Sequence, residues 1–440
     1  MGIKLGWGLF FCTLLSLVSS PGTLCAEPGQ GLVAMQGVGE RQATQALEKG
    51  WQFSAISDTT VKSVWVSGFA DNEEVQIGAE QFANIRLEAP LGTQGKVYVA
   101  LNLLAASGVF LQQATFSPTS SAVSGSGDRE YSTDVSSAAS SSFYRSSLMV
   151  GSGYGSSLEL ERLYYRLVFS KYDWEAGLLR IPFGYGLIWR PMDFLNPPNP
   201  LTPDARPRGV LGSRITLYGW EDTDLGFFVV ASPDPTRTDG AGSLGGVSFE
   251  WHGLTSSLQA LYAVQMPLPG KKYPDHRWGV SYKWDGPVAF TLEGLYTLDT
   301  DALWEGRWYE EEGHPLRGLE ATLGVDGSIG KTIWIIQYFY QGSLKAALDT
   351  RYGKHYLGGS LLYRQDDFTR YSLGYTVSLS DGSFVPLLSV EQEPFQGMTL
   401  ILTFRLFLDA HALGIGSRGE LGPLQMGSRG DLSLKVRIRF

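Results

Sequence analysis

Cysteine, histidine and charge are all scarce in this chain. Of its 440 residues only Cys12 and Cys25 are cysteine. Cys12 falls within an N-terminal leader, so at most one thiol outlasts export, too few for an internal disulfide or a thiolate zinc site. Charged residues make up 18%, where a soluble domain carries about 25%. The net charge of -9 offers no basic field for nucleic acid. Long apolar runs are missing too, with one exception. A mean hydropathy of -0.06 excludes a polytopic helical membrane protein, each of whose segments needs about 20 apolar residues.

The exception is the leader. Lys4 gives a positive start, Leu5 to Val18 is nearly unbroken apolar sequence, and small residues follow up to Ala26. This predicts a signal peptide over 1–26. Gly22-Thr23-Leu24 lacks the residue order expected before a lipidated Cys25.

What the chain does have is glycine, 54 residues, with 12% aromatics and a recurring period of two. At the C-terminus Leu432, Leu434, Val436, Ile438 and Phe440 alternate with Ser433, Lys435, Arg437 and Arg439. Similar alternation recurs at 96–105, 158–169, 212–220, 254–263, 278–284, 292–297, 332–341, 368–378 and 398–407, with no helical period interleaved. Short connections such as Gly92 to Gly95 alternate with long ones such as Pro182 to Val210. That asymmetry predicts an all-β fold: a closed antiparallel transmembrane β-barrel of about 18 strands, with 16 as the alternative. Long loops are expected outside and short turns on the periplasmic side. The barrel is assigned to 61–440, and 27–60 to a periplasmic N-terminal segment. Closure is required because strand edges in hydrocarbon have no water to satisfy them. Tyr172, Trp174, Trp220, Trp251, Trp284, Phe368 and Phe440 sit near short turns, as an interfacial girdle would.

Motifs for chemistry are weak. Gly324 to Thr332 approaches a phosphate-binding loop, but Val325 stands where glycine is required and a strand pattern follows; a hairpin turn is expected there. His252, His276, His314, His355 and His411 show no metal-ligand spacing and no carboxylate bracket, so no metal or cofactor is expected. No nucleophile elbow is present. Ala106 to Ser157 is serine-rich and reads as a surface loop.

The most specific tract runs from Leu179 to Gly209. Seven prolines between Pro182 and Pro207 restrict it, as suits a rigid loop folded into a lumen. Arg162 and Arg166 lie opposite the apolar face of Leu163, Tyr165 and Leu167, and Arg214 lies opposite Ile215 and Leu217. With Arg180, Arg190, Arg206 and Arg208 they are candidates for a positive pore lining, and Asp193 for their partner. Arg180, Gly184, Trp189, Pro191, Asp193, Asn196, Pro197, Arg208 and Gly209 give the tract an outline that resembles outer-membrane barrels grouped near the alginate-export porins, though Pro182-Phe183 departs from it. The resemblance implies a bacterial outer-membrane location. Phe440 resembles the terminal signal read by the barrel-assembly machinery.

The function expected is a channel for diffusion of small hydrophilic solutes, anionic ones among them, with outer-membrane lipid and the assembly machinery as partners and no enzymatic turnover. The alternatives are a surface adhesin or structural barrel, a transporter of hydrophobic compounds, and a rim hydrolase.

Overall fold

The computed structural model describes residues 50–67, 73–110, 145–151, 154–198, 209–220, 222–231, 242–267, 272–298, 300–304, 315–342, 354–380, 382–408 and 428–440. The expected signal peptide, the segment 27–49, Arg206 and Arg208 lie outside these residues. The strands are β1 (Gln52–Ser67), β2 (Glu73–Leu91), β3 (Gly95–Gly108), β4 (Arg145–Gly151), β5 (Tyr154–Val168), β6 (Tyr172–Leu179), β7 (Val210–Trp220), β8 (Thr223–Val230), β9 (Leu244–His252) and β10 (Ser256–Gln265). They continue as β11 (Asp275–Trp284), β12 (Val288–Leu298), β13 (Leu319–Ile329), β14 (Thr332–Gln341), β15 (Lys354–Arg364), β16 (Thr369–Ser378), β17 (Phe384–Phe395), β18 (Met398–Leu406) and β19 (Ser428–Arg439).

Eighteen of these strands form the closed barrel, each paired antiparallel with its neighbours, and β19 returns to β1 through Ile56↔Arg439 to Val66↔Ser428. The remaining strand, β4, pairs with the first half of β5, from Tyr154 to Glu159, and does not enter the ring. Connections alternate in length as expected. The near-miss phosphate motif is the β13–β14 hairpin, Ile329 opposite Thr332. At the β15–β16 turn the Asp366 carboxylate accepts the backbone N–H groups of Phe368 and Thr369, which hold it below the usual carboxylate range.

The barrel starts earlier than the sequence pattern suggested, at Gln52 and not near residue 61. The reason is chemical. The outward positions of this stretch include Ser57 and Thr59, so the apolar alternation is missing; Gln81 on β2 satisfies both hydroxyls.

The wall is inside out relative to a soluble domain. Glu293 and Ser281 are fully buried while their neighbours Leu292 and Val280 are 50% and 54% exposed. Thr322 and Leu323 repeat the contrast. An outward face of Val, Leu, Ile and Phe costs too much in water over so many strands and is stable against lipid. Two aromatic belts bound it. Trp251, Trp284 and Phe440 are outward at the short-turn rim, and Tyr262, Trp278 and Tyr296 form a row of tilted rings nearer the long loops, with centroids 5.7 and 6.3 Å apart. Trp278 and Trp284 are separated by about 20 Å of β11, close to the height of an apolar membrane band.

Candidate functional site: the inward loop and the charged wall

The β6–β7 connection folds into the lumen. From Phe183 to Trp189 successive residues meet successive strands of the inner wall. Phe183 packs on Phe228 of β8, with centroids 5.1 Å apart. Gly184 N–H donates to Gln259 Oε1 of β10 at 2.6 Å, and Tyr185 N–H to Ser281 Oγ of β11 at 3.1 Å. Ile188 N–H donates to Gln337 Oε1 of β14 at 2.7 Å, and the Gln337 amide returns a bond to Trp189 O at 2.8 Å. Trp189 stacks on Phe339 at 5.6 Å and leans on Tyr356 of β15. The wall between β8 and β14 is about 29 Å of arc at about 4.8 Å per strand, and six extended residues reach about 20 Å. The loop manages the crossing as an inner chord, with side chains closing the difference.

Glu293, on β12, is the principal anchor. Its carboxylate accepts the backbone N–H groups of Tyr185 (3.0 Å), Gly186 (3.0 Å) and Met192 (2.8 Å) and the Ser281 hydroxyl at 3.2 Å. A buried carboxylate without such donors would be costly to desolvate; here the loop supplies them. Glycines let the chain approach. Gly184 has φ +82°, and a Cβ there would stand 2.3 Å from Glu293 Oε2. Beneath the loop, a Cβ on Gly279 or Gly358 would press on Met192 or the Trp189 ring. Leu179, Ile181, Phe183 and Met192 then seal against Phe228, Val230, Leu244, Leu261 and Ala263 in one apolar cluster.

Of the predicted arginines, the described ones, Arg162, Arg166, Arg180, Arg190 and Arg214, lie on the lumen side. On β5, a bulge opposite Ala100 and Leu101 turns both Glu161 and Arg162 inward; they stand 3.9 Å apart. Arg166 binds Asp173 at 2.5 Å and lies 3.6 Å from Glu175. Arg180 is 3.7 Å from Asp193, and Arg190 Nε donates to Gly186 O within the loop. Arg214 sits opposite Glu175 and Phe228 in the register, with no carboxylate within ion-pair distance among the described residues. Asp193 is fully buried. Burial pushes its carboxyl up to about 7, against the pull of Arg180 and Arg190. Burial likewise lowers the Arg180 guanidinium, an effect that Asp193 opposes.

Two features escaped the sequence reading. Gln259, Ser281, Glu293 and Gln337 anchor the loop, yet each looks like any other polar residue on the lumen face of an alternating strand. No pattern along the strands separates them from lumen-facing polar residues that meet solvent. The second feature corrects an expectation: His252 does have a carboxylate bracket. Glu250 shares its strand face and Asp224 lies opposite Glu250 across β8–β9. Strand register brings these groups together, and spacing along the chain does not reveal register.

No family model and no curated protein matches this sequence. Among solved structures the chain is similar to a BenF-like porin from Pseudomonas fluorescens Pf-5, with a TM-score of 0.50, 7% identity, and coverage of 89% of this chain and 99% of that one. Pseudomonas aeruginosa OpdQ aligns at a TM-score of 0.49, 10% identity and 89% and 99% coverage, and P. aeruginosa OccK7 (OpdD) at 0.49, 10%, and 89% and 98%. At 7% identity the likeness to the BenF-like porin is one of fold, and with the apolar, aromatic-bounded outer face it makes this chain an outer-membrane β-barrel.

Proposed function

We propose that the barrel is a channel through which small hydrophilic solutes diffuse across the outer membrane, with anions favoured. One observation carries this reading: polar side chains line the wall, and a rigid loop pinned to Glu293 and Gln337 narrows the lumen near mid-strand. A barrel serving only as a surface scaffold needs neither. The fold shared with a porin supports the same reading.

The anion preference rests on Arg162, Arg166, Arg180, Arg190 and Arg214, with Arg206 and Arg208 as further members of the tract. Glu161, Asp173, Glu175 and Asp193 offset much of that charge, so the expected preference is modest. Its source is Arg214 and the part of Asp193 that is protonated near neutral pH. Such a lining selects by focused potential and by bidentate contact to carboxylate or phosphate. Phe440 serves assembly by the barrel-assembly machinery, and outer-membrane lipid covers the apolar belt; no turnover chemistry belongs to this reading.

Recordings from purified protein in planar bilayers test it. Stable single-channel steps and a reversal potential displaced toward the anion equilibrium value in a salt gradient are expected. A folded barrel without conductance would return the adhesin or structural reading, and a cation-directed reversal potential would remove the anion preference.

A further inference from the structure

Asp224, Glu250 and His252 meet on the lumen face near the short-turn mouth. Glu250 and His252 are two apart on β9 and share a face, and Asp224 is the cross-strand partner of Glu250. His252 Nε2 lies 3.7 Å from Glu250 Oε1 and 3.8 Å from Asp224 Oδ2. One ligand atom from each residue falls within 4.8 Å of the other two. The ring nitrogen faces two carboxylates at distances too long for a hydrogen bond to either. Its other nitrogen, Nδ1, is buried without a hydrogen-bond partner.

We propose that these three side chains form a binding site for a divalent transition metal of the zinc class. Charge is the first argument. Two carboxylates and a neutral imidazole carry two negative charges, which one divalent cation cancels. The donor set is the second: one imidazole nitrogen with two carboxylate oxygens suits zinc and its first-row neighbours, whereas calcium and magnesium favour oxygen alone. Geometry is the third. Around a tetrahedral ion with bonds of about 2.1 Å, adjacent ligand atoms stand about 3.4 Å apart. The gaps to His252 therefore close by a few tenths of an ångström, within reach of side-chain torsions. All three residues are half-buried, so an ion enters from the lumen and a fourth position stays open to it.

The site is also joined to the inward loop. The Tyr185 phenol donates to Glu250 Oε1 at 2.9 Å, the outer-shell contact that orients a ligating carboxylate. A bound ion would thereby tie the loop to the wall at one more point, apart from the anchors Glu293 and Gln337. An imidazolium clamped between the two carboxylates is the competing occupant of the same geometry.

Calorimetric titration of the untagged, folded barrel in detergent at pH 7 with zinc alone separates the two. One zinc per chain is expected. His252→Ala and Glu250→Gln should each weaken binding at least a hundredfold, and Tyr185→Phe, which leaves all three ligands in place, by about tenfold. His355→Ala, whose imidazole is on the outer face with Tyr338, should bind as the parent does. Heat-modifiable migration in gels verifies that each variant is folded. No saturable zinc binding, or undiminished affinity in His252→Ala, would overturn the site. A metal-free His252 that titrates well above the ordinary histidine range by NMR, with no zinc uptake, assigns the cluster to the imidazolium instead.

Discussion

The carboxylate of Glu293 occupies the space that a side chain on Gly184 would need: a Cβ there would stand 2.3 Å from Oε2, on a backbone already at φ +82°. Loop and wall are fitted to each other at this point. Gly184→Ala forces either the φ or the carboxylate to shift. Glu293→Ala strands the buried N–H groups of Gly186 and Met192 and leaves Tyr185 N–H with Ser281 alone, and each unsatisfied buried donor costs about 1–3 kcal/mol. Both variants should release the loop from β12 and raise single-channel conductance, with more frequent current fluctuations. Conductance equal to that of the parent in folded Glu293→Ala would show that the loop does not set the pore.

The opposite manipulation acts at the loop apex. Gly358 lies under the Trp189 ring, and a Cβ there would come within 2.7 Å of it. Gly358→Ala should push Trp189 toward the pore axis and reduce conductance, at an overpacking cost of about 1–3 kcal/mol. Trp189→Ala should do the reverse and widen the constriction. Recording the two variants side by side checks the sign of each change.

These predictions show where sequence pattern succeeds and where it stops. Period two put Arg162, Arg166 and Arg214 on the lumen face and Leu432 to Phe440 in a wall strand, because the lipid-facing positions of a membrane barrel are mostly apolar. It missed the first turn of β1, where Ser57 and Thr59 are outward and satisfied by Gln81. It also missed every loop anchor. A Glu at position 293 obeys the same alternation whether it meets solvent or a loop, and only the path of Phe183 to Met192 distinguishes the two cases. The prolines of that loop suggested an inward fold without saying which wall receives it.

Asp193 makes stability depend on pH. Burial raises its carboxyl to about 7, from about 3.9 in an unfolded chain. Between those values the folded barrel holds a proton that the unfolded chain has lost. Stability contributed by this group is therefore fully present below about pH 4 and declines as pH rises toward 7 and beyond. Denaturant unfolding in detergent at pH 5 and pH 8 should show the parent losing stability over that interval. Asp193→Asn, which resembles the protonated acid, should lose less. A steeper loss in the variant would contradict the assignment.

Arg214 offers the cleanest test of selectivity, since the other described arginines of the lining are held by acids or by the loop. Arg214→Glu should move the reversal potential toward the cation value, and Arg214→Ala should move it about half as far. Arg166→Ala should shift it the same way, because Asp173 and Glu175 lose their shared counter-charge. Raising the salt from 0.1 to 1 M shortens the Debye length from about 10 to about 3 Å, so all three differences should shrink together. A shift that persists unchanged at high salt would point to altered pore shape, not to charge.

The barrel closes through a pair at the opposite ends of the chain. Arg437 on β19 binds both oxygens of Asp58 on β1, with Nε to Oδ1 at 2.9 Å and the terminal nitrogen to Oδ2 at 3.0 Å. Below it Phe440 exchanges backbone bonds with Ala55 at 2.8 and 3.2 Å. Both groups of the ion pair are largely buried, and a bidentate charge-assisted contact in that setting is stronger than an exposed one. Arg437→Ala leaves Asp58 charged inside the wall, so it should cost more than replacing both residues. A double-mutant cycle with Asp58→Ala should give a favourable coupling of about 1–3 kcal/mol. Deleting Phe440 removes the Ala55 bonds and the terminal aromatic but leaves the pair intact, so it should slow assembly while changing equilibrium stability little. A zero coupling between Asp58 and Arg437 would assign closure to the backbone ladder alone.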